Sequence, residues 1–411
     1  MSASTTHVNL RLPVRFVNRA VAAVYVLLLF GYPFVASLPG FLPSVNVTTV
    51  SIGMRAGLAG LSLLVIWRIG IRQQRFHWGW FFIAFLVFWG LYIGRVLVDV
   101  VYSPIELRIP RYEYLLFSVG GALLPALALS TKISRSTFER VFEWVFVAAA
   151  VVGLTNSFAV QEAISSGDLT RVQTTALNPI SLSNVGASMV ILASYGTFRP
   201  EMLPQRWKRM LIPVMFGGGL GYMLLGTARG PFVALLCVFG ALFLIRGTTI
   251  GRKVKRSLLL GALIAAAGTA AFWYFGDVIQ EFVLRFMWVR DVADSSTQTR
   301  VQLWTRAWSQ FMENPLTGSA IVERVRVLYP HNLIIESFMA IGIFGGLLCM
   351  GIVVMSALSA LRVLRAYPER AWVALLFIQY LVGAMFSGSI WSSGIMWGLM
   401  AATVAQSAPR S

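Results

Sequence analysis

Residues 276–341 read GDVIQEFVLRFMWVRDVADSSTQTRVQLWTRAWSQFMENPLTGSAIVERVRVLYPHNLIIESFMAI. This is the longest interval of the 411-residue chain without a membrane-spanning pattern. On both sides lie apolar runs of about 20 residues, the length at which a helix crosses a bilayer core. The interval holds six arginines, Arg285, Arg290, Arg300, Arg306, Arg324 and Arg326, and no lysine. It also holds His331, one of only three histidines. A segment this polar, wedged between apolar runs, must lie on a membrane or cover a site. We read it as the lid and floor of an active site, and the rest of the chain as its mounting.

Outward from that stretch the composition is that of a membrane protein. Hydrophobic residues make up 57% of the chain and charged residues 12%. A water-soluble domain does not repeat such apolar runs, and in lipid a helix satisfies its own backbone. The expected fold class is therefore an all-α polytopic membrane protein, a single integral membrane domain over residues 1–411. The pattern predicts about twelve spans, near 20–37, 47–67, 79–98, 113–130, 141–160, 179–197, 210–226, 231–246, 257–275, 332–358, 371–386 and 389–406. Cys237 and Cys349 fall inside predicted spans and read as small core residues.

The net charge of +18 does not point to nucleic acid, because its distribution follows a membrane topology. The N-terminus, the loops Arg68–Arg75, Lys132–Arg140, Arg199–Arg209, Arg246–Arg256 and Arg362–Arg370, and Arg410 hold most of the 34 basic residues, including every lysine. By the positive-inside rule these segments are cytoplasmic, with both termini inside and 276–331 on the outer face. Arg11, Arg15 and Arg19 precede the first apolar run without a small-residue cleavage site, so an uncleaved first span is expected.

Three spans descend from the outer face beginning at or next to proline: Asn178-Pro179, Arg229-Gly230-Pro231 and Pro330-His331. Proline suits the first turn of a helix, whose free N–H groups carry a partial positive charge. Three such ends converging would form an anion site. Arg229 sits in the turn GTARGP, where Gly230 and Pro231 are expected to make a rigid corner that aims its side chain. Arg171 lies in the loop before Asn178. Arg300 opens an expected interfacial helix at about 300–312, in which Val301, Trp304, Trp308 and Phe311 recur at helical spacing. At about 100° per residue Arg300 shares a face with Trp304, Ala307 and Phe311, while Arg306 points away.

Arginine has a chemical meaning here, since a guanidinium fork binds two phosphate oxygens and keeps its charge. Arg171, Arg229 and Arg300 suit a diphosphate. His331, at a helix mouth among arginines, is expected to stay neutral near pH 7, as a general base requires. Asn178, Asn332 and Glu336 are further candidate binding residues, with Glu336 expected to orient His331 or balance the arginines. Arg95 and Asp99, four apart near the end of the third span, are expected to pair. No carboxylate or histidine cluster at ligand spacing, phosphate loop or nucleophile elbow is visible, so neither a metal nor another cofactor is expected.

Four motifs in order, RVQTTALNP (171–179), GTARGPFVALL (226–236), RVQLWTRAWSQFMENPLTG (300–318) and PHNLIIESFMAIGIFGGLL (330–348), resemble the bacterial O-antigen ligase and O-antigen polymerase superfamily. The resemblance covers roughly Arg171 to Trp397. It implies a GT-C-like fold in the bacterial inner membrane, with an active site on the periplasmic side. It implies metal-independent, inverting transfer of a glycan from an undecaprenyl-diphosphate carrier, with no nucleotide because the donor already holds the activated bond. The family's basic and histidine motifs match Arg229, Arg300 and His331, and Arg171 more loosely. The outer segment before His331 is short for a ligase with a large periplasmic domain. Two acceptors therefore stay open: lipid A-core for a ligase, or a second lipid-linked glycan for a polymerase. A transporter or flippase for the same lipid is the third reading. Polar residues gathered at outer span ends, without an internal repeat, favour an enzyme over it.

Overall fold

The computed structural model describes residues 14–42, 44–71, 79–102, 107–165, 177–242 and 295–407. The apolar runs form helices in chain order: α1 Arg19–Gly40, α2 Val47–Ile69, α3 Trp80–Tyr102 and α4 Arg111–Leu129. They continue as α5 Arg135–Ser165, α6 Pro179–Phe198, α7 Gln205–Gly226 and α8 Arg229–Leu242. After the long polar interval come α9 Ser295–Glu313, α10 Leu333–Ala366, α11 Ala371–Ser387 and α12 Gly394–Ser407. Among the described residues there is no strand, and one isolated bridge joins Glu323 to Leu328.

Among the described residues seven helices, α1 to α5, α10, and α11 with the turn before it, are long and apolar enough to cross a membrane. The chain is a multi-pass membrane protein. The spans expected at 210–226 and 231–246 are shorter apolar helices, Met210–Gly226 and Arg229–Leu242. The span expected at 257–275 lies outside the described residues. α6 and α12 are almost wholly buried by other helices. Their neighbours are protein rather than lipid, which explains buried Ser183, Ser188 and Ser194 on α6 and Thr403 and Gln406 on α12.

Polar contacts fix the direction of the central helices. The Tyr195 hydroxyl of α6 donates to the Pro368 carbonyl (2.9 Å), just before α11. Toward the other end, Gln379 Nε2 of α11 donates to the Asn184 carbonyl (2.9 Å). The two helices therefore run antiparallel. Helix α7 doubles back on α6, with Gly219 facing Gly186 and Gly226 against Pro179. The start of α6, the end of α7, the start of α8 and the end of α11 thus share one end of the bundle. An aromatic layer of Phe85, Phe88 and Trp89 on α3 against Trp397 on α12 fills the space beside them, with ring centroids 5.4–5.9 Å apart.

The expected span at 332–358 is corrected in one respect: α10 is broken. Ile341 (φ −129°) and Gly342 (φ +71°, ψ −167°) leave helical geometry, separating Leu333–Ala340 from the rest of α10.

Candidate active site

The site lies at the shared end of the bundle. Helix α10 starts at Leu333 rather than at the proline, because Asn332 is its N-cap. Asn332 Oδ1 accepts from the amides of Ile334 and Ile335, both at 3.0 Å. Its Nδ2 donates to the Met385 carbonyl (3.0 Å), tying the start of α10 to the end of α11. His331, the residue before the cap, has φ +57°, a left-handed conformation uncommon for a residue with a side chain. Its ring stands edge-on to Tyr329, with centroids 4.4 Å apart. On α9, Arg300 Nη2 donates to Ser387 Oγ (3.4 Å) and Trp304 Nε1 to the Pro330 carbonyl (2.7 Å). Arg300, His331 and Asn332 therefore meet around the last turn of α11.

Burial holds the His331 pKa below its ordinary value; a hydrogen bond with the Ser387 backbone opposes this, and the Arg300 charge adds to the lowering. The direction is the expected one. The leading cause is burial and not a helix dipole, because His331 stands outside the helix it was expected to open.

Asn178 is the N-cap of α6, its Oδ1 accepting from the Ser181 amide (2.8 Å). Continuing the antiparallel register of α6 and α11 puts Asn178 level with Met385. Arg229 is the first residue of α8. Gly226 packs against Pro179, which brings Arg229 to the same end of the bundle. The expected corner at Gly230-Pro231 lies instead at Thr227, a left-handed residue (φ 46°) that closes α7. Gly230 and Pro231 sit inside the first turn of α8. Arg171 lies outside the described residues.

Glu336 is not placed with His331. It is fully buried, accepting from the Tyr92 hydroxyl (3.0 Å) and the Ile390 amide (3.1 Å). Neither partner is His331, so neither of these bonds orients the histidine.

The expected helix at about 300–312 is longer, and Arg300 lies on its inner side, where Leu303, Ala307 and Phe311 are buried. Phe311 packs on Phe338 of α10 with centroids 5.3 Å apart. Val301 and Trp308, which the interfacial reading buries in the membrane, are about half exposed on the protein. Arg95 and Asp99 pair as expected (3.4 Å), and the pair has a second task. Arg95 also donates to the carbonyls of Ala340 (2.9 Å), Gly318 (2.9 Å) and Thr317 (3.2 Å). Asp99 Oδ2 accepts from the Ile321 amide (2.7 Å). This clamp seats the loop after α9 in the break of α10. Tyr329, Ser387 and Trp391 were missed in the sequence, being single residues in turns or at a helix end without informative spacing.

Among the described residues no group of three or more His, Cys, Asp or Glu side chains gathers as a metal site. No curated protein is matched by the chain. Residues 214–350, which include Arg229, Arg300 and His331, match the family model Wzy_C, O-antigen ligase, and this match supports the O-antigen ligase and polymerase superfamily as the one the chain resembles.

Proposed function

We propose that the chain is an O-antigen ligase-like glycosyltransferase that moves a glycan from an undecaprenyl-diphosphate carrier to a hydroxyl of an acceptor such as lipid A-core. The observation that supports this best is the meeting of Arg300 and His331 at Ser387, beside the helix starts at Asn178 and Arg229. Arg300 and Arg229, with Arg171, bind the diphosphate through guanidinium forks and the free amides of the helix ends. Asn178 and Asn332 serve chiefly by capping those ends, and Glu336 by tying the half-helix to Tyr92 and Ile390.

His331 takes the proton of the acceptor hydroxyl as its oxygen attacks the anomeric carbon from the face opposite the diphosphate. The bond from that carbon to the phosphate oxygen breaks, its electron pair leaves on the diphosphate, and configuration inverts. Positive charge at the leaving oxygen stabilises the transition state. No metal or nucleotide is needed, because the lipid-linked donor is already activated. The same reading completes the topology: about twelve spans of GT-C-like arrangement in the bacterial inner membrane, cytoplasmic termini, and 276–331 as a periplasmic loop with α9 at the interface.

Purified protein in liposomes, given undecaprenyl-diphosphate glycan and lipid A-core, is expected to yield glycosylated lipid A-core and free carrier diphosphate. Growth of lipid-linked glycan from donor alone identifies the polymerase reading instead. Donor that stays intact in both mixtures, or merely changes leaflet, rules out transferase activity.

A further inference from the structure

Arg55 lies inside α2, nine residues beyond Asn46, the N-cap of the helix, which at a rise of 1.5 Å per residue is about 13 Å along it. At about 100° per residue it shares a face with Ser51, Leu58 and Ser62. All three are buried, so Arg55 faces protein rather than lipid. Its guanidinium carbon lies 3.9 Å from the centre of the Phe117 ring and 5.3 Å from that of Tyr32. Glu113 acts on it through space. Yet among the described residues Arg55 forms no hydrogen bond and no ion pair.

A guanidinium inside a membrane-spanning helix is costly and is retained where something binds it. Two aromatic faces hold it without using its five N–H donors. From there the rings continue to the active site. Phe117 meets Trp391 at 5.3 Å, Trp391 meets Tyr329 at 5.9 Å, and Tyr329 meets His331 at 4.4 Å. Among the described residues, Trp391 Nε1 and His331 Nδ1, at either side of Tyr329, are buried without hydrogen-bond partners. Unpaired buried donors and acceptors at one place ask for a polar ligand.

We propose that Arg55 anchors a second phosphate site, which takes a phosphate on the head of the acceptor lipid while the Phe117–Trp391–Tyr329 wall leads that lipid's sugar to His331. The acceptor role rests on the transfer reading above; the phosphate chemistry does not. Both candidate acceptors carry phosphate, and a guanidinium fork matches it. The C–H faces of a sugar ring pack on aromatic rings, and the indole N–H can donate to a hydroxyl. Bulk phospholipid offers the same phosphate chemistry and is the competing source.

The test uses the full chain in phosphatidylcholine nanodiscs, with lipid A-core or undecaprenyl-diphosphate glycan as probe, whichever the transfer assay identifies as acceptor, and both if it identifies neither. Binding is first measured on the His331→Ala protein, which does not turn over. Adding Arg55→Gln is expected to weaken binding at least about tenfold, and Arg55→Lys less. Phe117→Leu, which keeps the charge but removes its seat, is expected to weaken it too. Binding unchanged by all three substitutions overturns the site. Displacement of the probe by phosphatidylglycerol assigns the site to bulk lipid and overturns the acceptor role. With His331 restored, Arg55→Gln is expected to raise the acceptor KM about tenfold with donor KM and kcat little changed. A rise in donor KM instead overturns the assignment to the acceptor. If no protein turns over, the binding result still stands, separating a failure of the transfer reading from a failure of this site.

Discussion

Gly342→Ala is expected to open the joint that seats the outer loop on α10. Gly342 has φ +71° and ψ −167°, a region that essentially only glycine occupies. A Cβ built there collides with the Leu316 carbonyl and lies 2.9 Å from the Gly318 amide nitrogen. The backbone strain costs about 1–3 kcal/mol and the forced repacking about 1–3 kcal/mol more. Two hydrogen bonds are placed at risk, Ser319 N–H to the Met339 carbonyl and Ile343 N–H to the Pro315 carbonyl, both 2.8 Å. Gly351 on the same helix is the internal control, because a Cβ there meets nothing within 4 Å. Alanine at Gly351 is expected to be neutral or to gain up to about 1 kcal/mol of helix propensity. The assay is the apparent melting midpoint of each purified variant, with hydrogen exchange at the Ser319 and Ile343 amides. At about 2–4 °C per kcal/mol, Gly342→Ala should lower the midpoint by at least about 4 °C and speed exchange at both amides. Equal midpoints and equal exchange in the two alanine variants would refute the reasoning.

Arg95→Ala should destabilise by about 3 kcal/mol or more, since it leaves Asp99 unpaired and three carbonyls short of a donor. Arg135→Ala breaks a shorter ion pair, 2.7 Å to Glu139, yet should cost under about 1 kcal/mol because that pair is exposed. Thermal midpoints of the two variants compare them directly. Asn332→Ala removes a cap with two accepted amides and the tie to Met385, so a loss of about 1–2 kcal/mol in unfolding stability is expected, and Asn332→Asp should recover part of it. Arg300→Lys keeps the charge without the fork, so glycan transfer should fall more than about tenfold at unchanged protein level.

The membrane-spanning helices were legible because hydropathy reports what faces lipid. It reports less about α6 and α12, which face protein and bury serines, threonine and glutamine. Helical spacing alone put Arg300 on the face of Trp304, Ala307 and Phe311, and the pairing of Arg95 with Asp99 followed from their four-residue interval. The remaining bonds of Arg95 were not legible, since Thr317, Gly318 and Ala340 meet it only through tertiary folding. The start of α10 was expected near 332 and falls at Leu333, but His331 was expected to open the helix and stands before its cap; an asparagine before an apolar run was the better signal for that end. The break at Gly342 had a trace in the 34-residue length of α10, far beyond what one crossing needs. Arg55 also had a sequence signal, a lone charge inside an apolar run. What holds it, and the ring path to His331, came only from the fold.

The most direct measurement of the central claim is the pH–rate profile of glycan transfer for the wild-type protein and for His331→Gln. Neutral imidazole is the active form, and burial lowers its pKa. Activity should therefore persist below the ordinary histidine value of about 6.5 and be lost as pH falls through the lowered pKa. Glutamine keeps a hydrogen-bonding group at the position but cannot take the proton, so the rate should drop by about 10²–10⁴ and the acid limb should vanish from any residual activity. Near-normal transfer by His331→Gln, or the same acid limb in both proteins, would contradict the assignment of His331 as the base.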